Sequence, residues 1–294
     1  MKRINLLIAV LVLMALSACK QGTKESGDEI LDSIDLSDRE NILSELDTIG
    51  AGIPIFYNMY LSVELSSLFE TSGAVYNKDL LNATDKRSEY ITSYKKALNL
   101  GVYAVDLSYS RVFEQFETAG RYFSAMQSLS EELGIPNTYF KSTADRFERN
   151  LTDKDSLISI ANEVYYTTED YLKSNERFAT ASVIILGGWI EAIYIGTHVA
   201  IESRNADIIE RLIDQKYSLN NLLIMLSDHA DTDVVAEYTA HLEKLRDVFM
   251  AIEVNVPVDF DSKSKEAEAQ IDEWLKDITA LQAEIEVIRS AIIE

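Results

Sequence analysis

Only three prolines, Pro54, Pro136 and Pro257, interrupt this chain of 294 residues. Proline removes a backbone donor and clashes with the turn before it, so a sequence nearly free of it leaves long helices open. Between the prolines, apolar residues recur every three to four positions, as they do along one face of an α-helix. The expected fold is all-α, a bundle of about nine to ten helices. Ser37-Asp38-Arg39-Glu40 fits a capping box opening a helix to Ile49, Gly50-Ala51-Gly52 ends it, and Pro54 starts the next, to Thr71. Residues 85–133 read as helical throughout, bent at Gly101 and Gly120, and Gly134-Ile135-Pro136 stops the run. Further helices are expected at 137–149, 153–175, 177–202, 206–227, 233–253 and 263–292, with 255–261 a loop that has room for one short strand. No Pro/Gly/Ser-rich linker breaks this series, which favours a single helical domain over 37–294.

The last of these helices has the most regular pattern. Ala267, Ile271, Trp274, Ile278, Leu281, Ile285, Ile288 and Ile292 are spaced 4-3-4-3-4-3-4, an a/d seam. The same spacing serves self-association with another chain or packing into the helix's own bundle. The second is the simpler reading.

The first residues carry an address. Lys2 and Arg3 precede an apolar run, Ile4 to Leu16, which Asn5 alone interrupts. The run is shorter than the roughly 20 residues of a membrane-spanning helix. It ends in Leu16-Ser17-Ala18-Cys19, which resembles the lipobox of bacterial lipoproteins. The resemblance implies removal of residues 1–18 as a signal peptide, diacylglycerol on the Cys19 sulfur, and a membrane partner through that lipid. Residues 19–36 then read as a polar, flexible tether. Position 20 is Lys rather than the Asp that favours inner-membrane retention in lipoproteins of enterobacterial type, so the resemblance points to the outer membrane and leaves the leaflet open. The stretch from Ala97 to Tyr109 resembles segments of uncharacterised helical lipoproteins of Gram-negative bacteria, a likeness that brings no activity with it.

Cys19 is the only cysteine, so no disulfide or thiolate metal site supports the fold. The net charge of −22 becomes −24 once Lys2 and Arg3 are removed. A surface this acidic repels nucleic acid and anionic headgroups, which excludes nucleic acid as a partner. It suits a soluble periplasmic body in the cell envelope, and leaves room for a basic partner.

The most informative internal segment runs from Ala179 to Ile201, apolar on nearly every side. Such a helix is either a membrane span or the centre of a large core. Glu191 near its middle and His198 favour the core, because ionisable groups are costly at bilayer depth. Glu191, Tyr194, His198 and Glu202 share one face, with Gly187 and Gly188 a turn earlier. Lys95, Asn99, Tyr103, Asp106 and Tyr109 make a similar stripe on the helix containing Gly101. Leu100-Gly101-Val102-Tyr103 and Leu186-Gly187-Gly188-Trp189 echo each other at an offset of 86 residues, as a duplicated helical unit would. Facing each other, the stripes would enclose Tyr103, Asp106, Tyr109, Gly187, Gly188, Glu191, Tyr194 and His198 as a candidate pocket. Buried carboxylates there need partners. The candidates are Lys95, Arg111, Arg204, His198 or a tyrosine hydroxyl.

Three readings fit such a cluster: a polar register device within the core, a ligand pocket for an unknown small molecule, or a catalytic face. The first is the most ordinary. Pairs at i, i+4 (His198/Glu202 and Glu237/His241) could share a cation, yet neither Glu-x-x-His nor His-Glu-x-x-His occurs. Asp228-His229-Ala230-Asp231-Thr232-Asp233 lacks the glycine and distant glutamate of a calcium loop, and Thr232 or Asp233 there reads as a helix cap. No nucleophile elbow, phosphate loop or dinucleotide fingerprint is present, so no cofactor and no metal is expected. The sequence therefore points to a lipid-anchored helical protein with a binding or structural role, the alternative being a metal-assisted hydrolase on the Glu191/His198 face.

Overall fold

A computed structural model describes residues 73–136, 177–229, 232–257, 260–262 and 264–294, with isolated positions at 69, 146, 149, 171, 172, 174 and 175. All of them belong to one unit, Pro54–Glu294. The described residues form seven α-helices and no strand: α1 Ser93–Val112, α2 Phe116–Glu132, α3 Phe178–Ser203, α4 Ala206–Ile213, α5 Gln215–Ser227, α6 Asp233–Met250 and α7 Lys265–Ile293. Two short 3₁₀ turns, Lys78–Leu80 and Thr84–Glu89, precede α1. The helices expected at 37–49, 54–71, 137–149 and 153–175 lie wholly or largely outside the described residues, as do the signal segment and tether.

Helix ends follow local chemistry. Thr92, Asn205 and Ser264 each accept a hydrogen bond from the backbone N–H three residues on, capping α1, α4 and α7. Thr232 precedes α6 without a side-chain capping bond. Gly134, at φ +76°, ends α2 as expected; the Ile135 N–H donates to Ser130 O and the Gly134 N–H to Glu131 O.

The expected continuous helix 85–133 divides in two, and its start is 3₁₀. The break falls at Glu114, which takes φ 57°, and not at Gly101 or Gly120. There the Gln115 N–H donates to Ser110 O and the Glu114 N–H to Arg111 O, closing α1 before α2 begins. Residues 206–227 likewise divide at Asp214, which ends α4 and precedes α5.

Helix α3 is the centre of the core. It is long and apolar enough to cross a membrane by length and composition, but most of it is buried against other helices. It packs most closely against α1, then against α7, with α4 and α5 also touching it. The reason for the α1–α3 approach is glycine. A Cβ on Gly101 would collide with Ile184 O and lie 2.6 Å from Gly188 N. A Cβ on Gly187 would collide with Leu98 O. Here two helix backbones touch, which only residues without side chains permit. All eight seam residues of α7, from Ala267 to Ile292, are buried, and α7 packs on α3, α6, α1 and α4. The seam thus faces the helix's own bundle.

Candidate functional site: a sealed polar cluster

Just beyond the glycine crossing, the two stripes meet. Glu191 of α3 and Asp106 of α1 are both fully buried, and Asp106 lies against Glu191. The partner of Glu191 comes from α7. Arg289 Nε donates to Glu191 Oε2 at 2.6 Å and Arg289 Nη2 donates to Oε1 at 2.8 Å. This two-pronged pairing suits a planar guanidinium and a carboxylate. Arg289 Nη2 also donates to Leu80 O at 2.8 Å, and its Cζ sits 3.9 Å over the Tyr194 ring. Burial alone would lower the pKa of Arg289. The adjacent Glu191 carboxylate more than reverses that, so the arginine stays charged.

A strap formed by residues 77–90 covers the cluster, pinned mainly by side chains of the helices beneath it. The Asn82 N–H donates to Asp106 Oδ2 at 3.2 Å, and Asn82 Nδ2 donates to Tyr90 Oη and Asn99 Oδ1. Tyr122 Oη of α2 donates to Asn82 O, and Tyr103 Oη donates to Ala83 O. Asn99 Nδ2 donates to Ile292 O at 2.9 Å, so one amide ties the strap to the end of α7. The final carbonyls of a helix lack partners within it. In α7 they are met by Lys95 on Ala291 O, Lys86 on Ile293 O and Tyr238 on Ala291 O. The two lysines also complement the negative end of the helix dipole.

Burial pushes the Asp106 carboxyl well above its usual range, and the neighbouring Glu191 pushes it further; Arg289 and the Asn82 N–H oppose this without cancelling it. Among the described residues, Asp106 Oδ1 meets no hydrogen-bond donor. Burial likewise raises Tyr103, Tyr122, Tyr90 and Tyr194, keeping these phenols neutral.

The structure therefore brings together Tyr103, Asp106, Glu191, Tyr194 and Asn99, with Gly187 and Gly188 at the crossing beside them. Other expected members go elsewhere. Tyr109 Oη accepts from the Asn77 N–H, and its ring stacks with Tyr76 at 5.5 Å. His198 Nδ1 lies 2.8 Å from Tyr194 O and its Nε2 3.5 Å from Glu286, on the outer side of α3. Glu202 is exposed, and Arg204 pairs with Asp272 at 2.6 Å. Lys95 caps α7 and makes no ion pair with the carboxylates. Among the described residues no group of three or more His, Cys, Asp or Glu side chains is placed to hold a metal ion.

Sequence reasoning missed Arg289, Asn82 and Tyr122. A signal for Arg289 existed: it is the only basic residue after Lys276, it flanks the apolar seam of α7, and it follows Ile285 by four. Asn82 carried no such signal, since its role comes from elements up to 40 positions away. No family model, curated protein or solved structure matches this chain.

Proposed function

We propose that the chain is a lipid-anchored protein of the bacterial cell envelope, held at the outer membrane through Cys19, with a rigid helical body that serves a non-enzymatic binding or structural role. The observation that carries the reading of the body is the closure of its polar face. Both oxygens of Glu191 are taken by Arg289 in a fully buried setting, and His198 points to a different neighbour. A general base or metal ligand must reach substrate or an ion. Glu191 is sealed from solvent with both oxygens held by Arg289, so the hydrolase alternative gains no support from the site. The address rests on Lys2, Arg3, the apolar run and Leu16-Ser17-Ala18-Cys19. Mass spectrometry of the mature N-terminus tests it. Diacylglycerol on Cys19 is expected, and an unmodified Cys19 thiol or cleavage elsewhere would overturn the anchor.

The reciprocal contacts of α1 and α3 favour a duplicated helical unit as the origin of the body. Gly101 abuts Ile184, and Gly187 abuts Leu98. Applying the 86-residue offset to one contact gives the other. Two copies of an ancestral helix that met through a local two-fold axis would leave this pattern.

A further inference from the structure

We propose that the strap of residues 77–90 is a proton-dependent latch, seated on the bundle while a proton bridges Asp106 and Glu191 and loosened when that proton leaves. The charge balance of the cluster supports this. Asp106 faces Tyr90 from the strap, Tyr103 from its own helix, Tyr122 from α2, Glu191 and Tyr194 from α3, and Arg289 from α7. The phenols are neutral, and the single guanidinium already holds Glu191 through two hydrogen bonds. Among the described residues, a second negative charge on Asp106 would find no cation of its own. The hydrogen bonding agrees. Asp106 Oδ2 accepts from the Asn82 N–H, while Oδ1 has no donor. With a proton on it, the carboxyl becomes a donor toward Glu191; without one, it is an under-satisfied anion in the core.

An ionised Asp106 would be relieved by water, and the strap is the route. Its other neighbours lie on α1, α2, α3 and α7, with α1 and α3 locked together at the glycine crossing. The strap is 3₁₀ and irregular, and Asn82, which Asp106 holds, is the point where Tyr90, Asn99 and Tyr122 also converge. The sign follows from linkage. The folded pKa of Asp106 is raised, so closure is most favourable below the ordinary carboxyl value near 3.8 and weakens as pH rises toward and through the folded value.

Hydrogen exchange of strap peptides across pH, corrected for the intrinsic chemical rate, tests the latch in the full mature chain. The opening constant of the strap should rise about tenfold per pH unit between the ordinary carboxyl value near 3.8 and the raised value of Asp106 in the closed state, and level off above the latter. D106N, which keeps the shape and can still donate toward Glu191, should hold the strap closed with no such slope. Exchange at the glycine crossing should be unaffected in both. Infrared difference spectra on the acid side of the strap transition should show a protonated-acid carbonyl band in the wild type that D106N lacks. If D106N fails to fold, E191Q serves instead. Freed from Glu191, Arg289 would favour ionised Asp106, and the titration should move down by about one pH unit or more. The same exchange slope in wild type and D106N, no acid band while the strap is closed, or an unmoved titration in E191Q would each overturn the proposal.

Discussion

Helix α1 meets α3 in two different ways within a short distance. At Gly101 and Gly187 the contact is backbone against backbone and holds because side chains are absent. At Asp106 and Glu191 it holds because side chains are present, and only with the help of Arg289 from α7 and Asn82 from the strap. The first contact is a matter of shape. It is indifferent to charge, and a single methyl group defeats it. The second tolerates changes of shape better than changes of charge, since every member left without its partner becomes a buried cost. A central helix as apolar as α3 can carry one carboxylate because the crossing brings the neighbours of that carboxylate close.

Arg289→Met should have the largest effect, because it leaves Glu191 buried without its cation. A loss of about 3–5 kcal/mol is expected in denaturant unfolding. Gly187→Ala comes next, at about 1–3 kcal/mol or more, since the facing Leu98 carbonyl belongs to backbone and cannot swing away. Gly188→Ala sharpens the contrast. Its Cβ would stand 3.4 Å from Gly101 O, and alanine favours a helix over glycine by about 1 kcal/mol. It should lie within about 1 kcal/mol of wild type, and a loss as large as that of Gly187→Ala would show that the crossing is not specific to the two colliding positions. Lys95→Met removes a cation from the end of α7 and should cost about 0.3–1 kcal/mol, an effect that shrinks as salt is added.

Much of this architecture could be read from residues alone, wherever a pattern repeats along one element. The burial of α3 follows from its lack of charge, the inward face of α7 from its seam, and the meeting of the Asp106 and Glu191 stripes from the glycines that let their helices approach. Single-residue events were illegible. Glu114 breaks a helix at a position with no glycine or proline, because its backbone is set by the packing of α2 on α1. The strap carries no periodicity, and its structure comes from hydrogen bonds donated and accepted by distant helices. The partner of Glu191 lies 98 positions away, on an element whose sequence signal is its apolar seam, so nothing near the two stripes points to it.

A double-mutant cycle between Glu191 and Arg289 tests the central claim, that the polar face of α3 is internal cement and not an open site. Glu191→Gln, Arg289→Met and the double variant would be compared with the wild type in denaturant unfolding at neutral pH. A sealed, two-pronged ion pair predicts a coupling above about 2 kcal/mol, with the double variant more stable than Arg289→Met alone. Losses that add to within about 0.5 kcal/mol would mean that the two side chains act independently in solution, and would contradict the cluster as described.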